Sequence, residues 1–248
     1  MSKTIVVTGG TSGLGASILK AVGRDGTFDN RVSLALGPDA EEEMTSGVTY
    51  MHCDVRDGND ITLAADRIER AFGDIDVLVN CAGINRIGYL DQFEESDWDA
   101  VMDTNAKSMF LTAKAFVDQL ARSMGTILNV VSNASHMPMT ASLAYNASKG
   151  AGHIMTLQLA RELTKSMGIT VFGLSPAKLA GTQMSRDIDR QVVEVRGWTP
   201  EYARQYQLNG LVTGEEIPPY TIGEFVAFLL SNKERHKHLS GCVLPYGA

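Results

Sequence analysis

Residues 8–15 read TGGTSGLG; they follow a short β-branched run, Thr4–Val7, and open a stretch of helical period, Leu14–Val22. Glycine at such a junction permits positive φ and removes the Cβ that would block a close backbone approach. The start of the helix offers free N–H groups to a pyrophosphate, and Thr11 and Ser12 add hydroxyl donors. A tight turn that binds nothing has the same composition, so the glycines alone are a weak indication. Their place between strand and helix favours a dinucleotide site, and the lack of a P-loop lysine points away from kinases.

The rest of the chain repeats this order of strand and helix. Short β-branched runs alternate with longer stretches of helical period, which is typical of βαβ units and a parallel sheet. We expect an α/β fold, a doubly wound parallel sheet in a single domain over residues 1–248, because this length fits one such domain. The predicted strands are Thr4–Val7, Arg31–Leu36, Val48–His52, Val77–Asn80, Thr126–Val131, Thr170–Leu174 and Cys242–Leu244. The predicted helices are Leu14–Val22, Asp60–Phe72, Asp97–Leu120, Ala144–Lys165 and Ile222–Leu230.

One segment, Gly181–Pro219, does not follow this rhythm. It is mixed, charged and aromatic, and prolines break it at Trp198-Thr199-Pro200 and at Ile217-Pro218-Pro219. A connection this long within a compact domain usually serves as a functional lid or carries short helices of its own. We expect a substrate lid at about residues 181–219.

Charge and composition exclude several classes of protein. The formal net charge is −7, whereas a nucleic-acid surface would need clustered Lys and Arg. The apolar runs end well before the roughly 20 residues of a membrane-spanning helix, and the N-terminus passes into a strand with no room for a signal peptide. Three widely spaced cysteines and five histidines show no metal-ligand spacing. We therefore expect a cytoplasmic protein that binds no nucleic acid, membrane or metal.

Tyr145 and Lys149 are four residues apart within a predicted helix, so they project from one face about one turn apart. A free phenol has a pKa of about 10, too high for a base near neutral pH, but an adjacent ammonium stabilises the phenolate and lowers that pKa. Ser132 follows a predicted strand, at the edge where parallel sheets bind ligands. A surface pair with a snorkelling lysine explains Tyr145 and Lys149 by themselves. Together with Ser132 and the glycine-rich turn, they indicate proton transfer beside a nucleotide.

These features resemble the short-chain dehydrogenase/reductase family in its compact form, over essentially the whole chain. The resemblance rests on the glycine-rich turn, on YNASK at residues 145–149 and on NCAG at residues 80–83, which is close to the family's Asn-Asn-Ala-Gly. It implies a Rossmann fold, a nicotinamide cofactor and a homotetramer built through the fourth and fifth helices. The implied reaction is hydride transfer between nicotinamide C4 and the carbon of a secondary alcohol or ketone.

The resemblance also assigns roles to individual residues. Tyr145 would be the general acid/base, Lys149 the cation that lowers its pKa and binds the ribose, and Ser132 the group that orients the carbonyl. Asn105 matches the family's fourth-helix asparagine, whose amide would hold a water joining Lys149 to solvent; without the resemblance it is a polar residue at an irregular helix turn. The expected catalytic residues are Ser132, Tyr145, Lys149 and Asn105.

The expected cofactor site extends over several loops at one edge of the sheet. Asp54 and Val55, after the third strand, match the pair that meets the adenine, although a strand-ending turn would have the same sequence. The expected cofactor-binding residues are Gly9, Thr11, Ser12, Gly13, Leu14, Gly15, Asp54, Val55, Asn80, Ala82, Gly83, Tyr145, Lys149, Leu179 and Thr182.

The end of the second strand departs from the family pattern. It leads into Leu36-Gly37-Pro38-Asp39, with neither the acidic residue that marks NAD preference at that point nor the arginine that holds the 2′-phosphate of NADP. The cofactor is NAD or NADP. Because a 2′-phosphate is costly to bind without a cation, the sequence favours NAD, with Asp39 a displaced candidate partner for the ribose.

The loop after the sixth strand, SPAKLAGT at residues 175–182, departs as well. Ala177 stands where the family has glycine, and Thr182 falls one residue late. Leu179 and Thr182 would contact the nicotinamide side of the cofactor. Three basic side chains near these motifs would favour an anionic substrate if they line its entrance, although such residues are more often solvated rim charges. They are Lys178, Arg86 and His136.

The leading hypothesis is an NAD(P)-dependent oxidoreductase acting on a small-molecule secondary alcohol or ketone, with polyol, sugar-acid and 3-oxoacyl substrates all left open. Two other classes remain: a nucleotide-sensing Rossmann protein without catalysis, and a lyase or epimerase with a retained nicotinamide. Fold alone does not separate them. The catalytic set favours the oxidoreductase, because a pure binder has no need for Ser132, Tyr145 and Lys149 together.

Overall fold

Short strands rich in β-branched residues form one parallel sheet in the computed structural model, which describes residues 2–37 and 47–247. The strand order is β3-β2-β1-β4-β5-β6-β7, so the order reverses between β1 and β4. The strands are β1 (Thr4–Thr8), β2 (Asn30–Ala35), β3 (Thr49–His52), β4 (Val77–Asn80), β5 (Thr126–Val130), β6 (Thr170–Pro176) and β7 (Val243–Tyr246). The helices are α1 (Gly13–Asp25), α2 (Gly58–Phe72), α3 (Glu95–Met102), α4 (Ser108–Ser123), α5 (Leu143–Met167), α6 (Gln183–Arg196), α7 (Pro200–Asn209), α8 (Pro219–Leu230) and α9 (Lys233–His236). The predicted doubly wound α/β fold is confirmed.

Both faces of the sheet are apolar, because alternate residues of the inner strands point to opposite sides. Val7 and Val79 belong to a layer that packs under α1 and α8. Val6 and Leu78 belong to a second layer under α2, α4 and α5. Burial of both faces is typical of a parallel sheet covered by crossover helices. It leaves the strand ends as the place where polar groups meet solvent.

A buried polar cluster interrupts the second layer at the carboxyl ends of β4 and β5. Asn80 Nδ2 donates to Oδ1 of Asn129, its register partner on β5, at 2.8 Å. The Thr112 hydroxyl of α4 donates to Asn80 Oδ1 at 2.7 Å, and Asn129 Nδ2 donates to the Thr156 hydroxyl of α5 at 3.0 Å. The side-chain amides of Asn80 and Asn129 are therefore each hydrogen-bonded at both the oxygen and the nitrogen, as a buried polar network requires. The cluster ties α4 and α5 to the two central strands.

The helix predicted over Asp97–Leu120 is interrupted in the structure. α3 ends at Met102, Asp103–Lys107 form a π-helical turn, and α4 begins at Ser108. The wider turn places Asn105 toward the interior, where it is fully buried. Helical periodicity could not show this, because a single wide turn leaves the apolar spacing on either side of it helical.

The segment after β6 contains two helices of its own, α6 and α7. Thr182 and Thr199 are their N-caps and accept hydrogen bonds from the backbone N–H groups of Ser185 and Tyr202. Pro200 occupies the first turn of α7, where its missing N–H is not needed. The breaker at Trp198-Thr199-Pro200 therefore separates two helices.

Within residues 2–37 and 47–247, no helix is long and apolar enough to cross a membrane. The same residues hold no group of three or more His, Cys, Asp and Glu side chains that could bind a metal ion. The three cysteines are free thiols.

Candidate active site

The glycine-rich turn leads from β1 into α1, beside the crevice where the strand order reverses. Gly9 has a φ of +67°, and a Cβ at this position would lie 2.9 Å from the Cα of Ala82. A Cβ at Gly15 would overlap the carbonyl oxygen of Gly9. Neither Gly9 nor Gly15 could therefore carry a side chain without displacing the backbone next to it.

The first turn of α1 leaves its backbone donors free for an anion. The first N–H groups of a helix have no partner within the helix. Ser12 is the N-cap, but its side chain makes no capping hydrogen bond, and no acidic residue lies in the first turn. Thr182 lies on the opposite side of the glycine-rich turn, because its methyl group would be 3.7 Å from a Cβ added at Gly13. The cradle thus fits the pyrophosphate of a dinucleotide.

The end of β4 connects this cradle to the tyrosine and lysine. The Thr8 hydroxyl accepts hydrogen bonds from the backbone N–H groups of Cys81 at 3.0 Å and Ala82 at 3.1 Å. A Cβ at Gly83 would lie 3.6 Å from Lys149 Nζ. Asn80 behaves differently, because its amide is bonded inside the core. A contact between Asn80 and a cofactor would therefore have to come from its backbone.

Ser132 and Tyr145 meet where α5 starts beside the end of β5. The Ser132 hydroxyl donates to Asn133 Oδ1 at 3.1 Å and accepts from the Ala134 backbone N–H at 3.2 Å, so its position is fixed. Tyr145 is only 9% exposed. Burial raises the pKa of Tyr145, and a side-chain hydrogen bond with Ser132 opposes that rise. The phenol is therefore held in its protonated form at neutral pH.

Lys149 lies one turn after Tyr145 and is buried. Its Nζ donates to the Val130 carbonyl at 3.0 Å and lies 5.8 Å from the centroid of the Tyr145 ring. Burial lowers the pKa of Lys149 to about 8, and the neighbouring Cys81 thiol acts in the opposite direction. The expected lowering of the pKa of Tyr145 by this ammonium is not seen, because desolvation of the phenolate dominates at this buried site.

Asn105 joins the loop after β4 to α5. Its Oδ1 accepts from the Ile84 backbone N–H at 2.8 Å, and its Nδ2 donates to the Ile84 carbonyl at 2.9 Å and to the Ser148 hydroxyl at 3.0 Å. The two amide hydrogens are therefore both used within the protein. The expected water bridge from the Asn105 amide to Lys149 has only the second lone pair of Oδ1 left to it. These bonds hold the loop after β4 against α5.

Comparison with known proteins agrees with this geometry. The family model described as short chain dehydrogenase matches residues 3–192. The chain belongs to the short-chain dehydrogenase family. A 3-oxoacyl-[acyl-carrier-protein] reductase from Staphylococcus epidermidis is 31% identical over 247 residues, which cover 95% of this chain and 94% of the relative. An acetoacetyl-CoA reductase from Cupriavidus necator is 32% identical over 198 residues, which cover 76% of this chain and 78% of the relative.

Two solved structures share this fold. A variant of the actinorhodin polyketide ketoreductase, solved with NADPH, superposes with a TM-score of 0.87 at 25% identity and covers 98% of this chain and 95% of that one. The aldohexose dehydrogenase of Thermoplasma acidophilum has a TM-score of 0.85 at 22% identity, with 98% and 92% covered, and shows the fold alone. The dehydrogenase described here is an NAD(P)-dependent oxidoreductase acting on alcohol and ketone groups. The predicted family and reaction class are confirmed.

The loop after β6 in this dehydrogenase is fastened to the segment before α8. The Ile217 backbone N–H donates to the Lys178 carbonyl at 2.9 Å, and the Ala180 N–H donates to the Ile217 carbonyl at 2.8 Å. Leu179 lies between these two bonds and packs against the apolar layer under α1. Thr182 caps α6 beside Gly13, next to the cradle. The structure thus brings Thr182 to the glycine-rich turn and leaves Leu179 partly buried.

The three basic side chains do not form an anion site. Lys178 is 14% exposed and pairs with Asp189 and with Glu216, the latter at 3.2 Å. Arg86 pairs with Asp97 at 3.3 Å on the surface. His136 Nδ1 shares a 3.1 Å hydrogen bond with the Ser135 hydroxyl. Both permanent charges are paired with carboxylates, which agrees with the alternative that these residues are rim charges and gives no support to an anion site.

The residues expected to meet the adenine, Asp54 and Val55, lie just after β3. The Asp54 carboxylate accepts hydrogen bonds from Arg56, and these hold the pKa of Asp54 below its usual value. Val55 follows and is buried. At the end of β2, Leu36 is largely exposed. Asp39, the candidate ribose partner, lies outside the described residues.

Sequence reasoning missed several residues that hold the site together. Ser148 accepts from Asn105 and donates to the Tyr145 carbonyl at 2.8 Å. Asn146 Nδ2 donates to the carbonyls of Ala134, at 2.6 Å, and Met137, at 2.8 Å, and so folds the loop after Ser132 back onto α5. Both lie inside the YNASK stretch at residues 145–149. Their polar side chains beside Tyr145 and Lys149 were the available signal.

Replacement of Lys149 by methionine is expected to stabilise the fold and abolish activity. The change in pKa from 10.5 to about 8 corresponds to about 3 kcal/mol of charge burial, and loss of the bond to Val130 offsets part of it. Lys149→Met should therefore raise the free energy of unfolding at pH 7 by about 2 kcal/mol. The penalty of the wild type is complete below pH 8 and disappears as pH rises from about 8 to 10.5, because only the unfolded state stays protonated in that window.

Urea unfolding of both proteins between pH 7 and 10.5 measures this difference. Lys114→Met on α4, where the lysine is exposed, serves as the matched control and should change stability little. A Lys149→Met protein that is less stable than wild type at pH 7 would show that the ammonium is well solvated by its bond to Val130.

Proposed function

We propose that Tyr145 exchanges the proton on the substrate oxygen, that Ser132 orients that oxygen, and that Lys149 binds the cofactor ribose. Support comes chiefly from one observation: a buried tyrosine lies beside Ser132, and a buried lysine lies one turn away. A phenol is a donor at neutral pH even at its ordinary pKa of about 10, and burial raises the pKa of Tyr145 further. This state suits reduction, in which the carbonyl oxygen needs a proton. Lys149, with a pKa of about 8, supplies the nearest ammonium from which the phenolate can regain one.

The cofactor would lie across the carboxyl ends of β1 and β4. When bound, the nicotinamide supplies or accepts the hydride. The residues proposed to hold it are Gly9, Thr11, Ser12, Gly13, Leu14, Gly15, Asp54, Val55, Asn80, Ala82, Gly83, Tyr145, Lys149, Leu179 and Thr182. Asn105 is proposed to act through its clamp on Ile84 and Ser148, which fixes the loop after β4 against α5. The segment 181–219, which carries α6 and α7, is proposed to cover the substrate.

Among the substrates left open, a 3-oxoacyl thioester has the best support. Two relatives above 30% identity are named as reductases of such substrates. Exposed apolar side chains near the start of α5, Met137, Met139 and Leu143, suit a neutral acyl chain. We infer that the protein reduces 3-oxoacyl thioesters.

A panel of substrates tests this proposal. We expect acetoacetyl-CoA to be reduced with a kcat/KM at least about tenfold above that of a sugar-acid ketone, because the exposed apolar side chains near the start of α5 offer contact to the acyl chain. Cyclopentanone serves as the neutral control without a thioester. Nicotinamide absorbance measures turnover. Faster reduction of the sugar-acid ketone would contradict the assignment, and equal rates with cyclopentanone would remove the role of the thioester.

We propose NAD as the preferred cofactor. From Val32 to Val55 the sequence contains no lysine or arginine and includes Asp39 and three glutamates at 41–43. Carboxylates in this stretch would repel the 2′-phosphate of NADP and suit the free ribose hydroxyls of NAD. Parallel titrations should give tighter binding of NADH than of NADPH. Tighter binding of NADPH would overturn the preference.

A homotetramer and a cytoplasmic location complete the proposal. Phe110 on α4 and Ile154 on α5 are more than half exposed, which suits an interface between copies of these helices. The three cysteines are unpaired, in keeping with a reducing compartment. Light scattering after size exclusion measures the oligomer directly.

A further inference from the structure

Helix α6 is hydrogen-bonded to two loops, one that follows β4 and one that leads into α5. Gln191 Oε1 accepts from the Ile87 backbone N–H at 3.0 Å. Arg196 Nη2, five residues further along, donates to the Thr140 carbonyl at 2.8 Å. Both loop partners are backbone groups, so their positions are set by the path of each loop. The two side chains therefore hold one loop after β4 and one loop before α5 against a single helix.

The two loops are also bonded to each other, which closes a ring. The Gly88 backbone N–H donates to the Ala141 carbonyl at 2.8 Å. One loop leads back to Ile84, which Asn105 clamps, and the other leads into the first turn of α5 and Tyr145. The mouth ring, as we call it, consists of Gln191, Ile87, Gly88, Ala141, Thr140 and Arg196.

Aromatic rings hold the Arg196 guanidinium in place. Its central carbon lies 4.7 Å from the centroid of Trp198 and 5.4 Å from that of Tyr206. Trp198 in turn packs edge-on against Tyr202 at 4.9 Å. Arg196 thus reaches Thr140 from a cluster built by the end of α6 and by α7. A flexible surface arginine would have no such platform.

The turn at Thr140 and Ala141, to which Arg196 donates its hydrogen bond, has a strained backbone. Ala141 has a φ of +62°, a region that a residue with a Cβ adopts at a cost of about 1 kcal/mol. Such a conformation persists only where the surroundings fix it. Here the carbonyls of Thr140 and Ala141, on either side of the strained residue, are both acceptors in the mouth ring. α5 begins two residues later, at Leu143.

We propose that Arg196 and Gln191 are positioning residues: through the mouth ring they fix the two loops beside Tyr145 and so set the affinity for the organic substrate. This inference rests on the proposed function, because it places that substrate at Tyr145. None of the residues proposed to hold the cofactor belongs to the mouth ring, so cofactor affinity should not depend on it. Neither side chain is needed to touch the substrate.

Steady-state kinetics with acetoacetyl-CoA and NADH test the proposal. We expect Arg196→Ala to raise the KM for acetoacetyl-CoA about tenfold, with the KM for NADH unchanged and kcat within about threefold. Arg196→Lys, which keeps a donor and a charge, should recover part of the loss, and Gln191→Ala should raise the same KM. Arg190→Ala is the matched control, since Arg190 lies on α6 in an exposed pair with Asp187. A KM for acetoacetyl-CoA within twofold of wild type in both Ala variants would overturn the proposal.

Amide hydrogen exchange separates this proposal from the proposed function. In Arg196→Ala, amides of residues 137–143 and of Gly88 should exchange about tenfold faster, whether or not acetoacetyl-CoA is a substrate. Unchanged exchange there overturns the mouth ring, and faster exchange with an unchanged KM overturns its role in substrate binding. Should Arg196→Ala fail to fold, Gln191→Ala decides by the same two measurements. Failure of the proposed function would give a different result: turnover would survive in Tyr145→Phe, which lacks the hydroxyl.

Discussion

Tyr145→Phe is expected to lower the turnover of acetoacetyl-CoA about 10²–10⁴-fold, the usual contribution of a positioned general acid. The change removes one hydroxyl and keeps the ring, so packing of this buried residue should survive. Binding of the nicotinamide should also survive, because the glycine-rich cradle and Lys149 are untouched. Nicotinamide absorbance measures turnover, and a fluorescence titration with NADH measures binding.

Tyr220→Phe is the matched control for this loss. Tyr220 is exposed on α8, and the same removal of a hydroxyl there should leave both turnover and binding as they are. Undiminished turnover in Tyr145→Phe would contradict the proposed role of the tyrosine. Equal losses of turnover and of NADH affinity would instead indicate that the hydroxyl serves binding.

Gly15→Ala is expected to weaken NADH binding at least about 100-fold. The added Cβ would overlap the backbone carbonyl of Gly9, and backbone cannot move aside as a flexible side chain can. The turn would have to open, which would displace the N–H groups of α1 from the position that suits a pyrophosphate. The free energy of unfolding should also fall by about 1–3 kcal/mol. Titration with NADH and urea unfolding measure the two effects.

Gly58→Ala provides the comparison for the cradle variant. Gly58 begins α2, and its added Cβ would meet only Leu111, at an ordinary 3.5 Å. This variant should bind NADH normally and unfold at a similar urea concentration. Normal NADH affinity in Gly15→Ala would show that the cofactor does not rest on this turn.

The strands were predictable because their physical signal is local. Runs such as Val77–Asn80 are short, β-branched and buried on both faces, and the structure gives that strand the predicted bounds. The end of β6 is different, since the structure extends it to Pro176. A proline in the sequence usually predicts the end of a strand. Here Pro176 still pairs in register with Tyr246 of β7.

The candidate site was predictable only where spacing along one helix or turn defines it. Tyr145 and Lys149 are one turn apart in any helix, so the sequence shows their proximity. Lys178 illustrates the opposite case, because its partners Asp189 and Glu216 come from two later segments. Charge alone made it a candidate for binding anions, and only the fold shows that carboxylates surround it. The mouth ring could not be predicted from the sequence for a related reason, because its donors and acceptors are largely backbone groups.

The buried amides of Asn80 and Asn129 also protect the sheet from misassembly. A slip of one residue between β4 and β5 would turn one amide toward the apolar layer under α1 and α8, away from Thr112 and Thr156. An unpaired buried amide there would cost about 1–3 kcal/mol, whereas a slipped pair of valines or leucines would cost much less. During folding, the central strands therefore have a chemical means of rejecting the wrong alignment. The Val130 carbonyl that receives Lys149 comes from the strand held in this way.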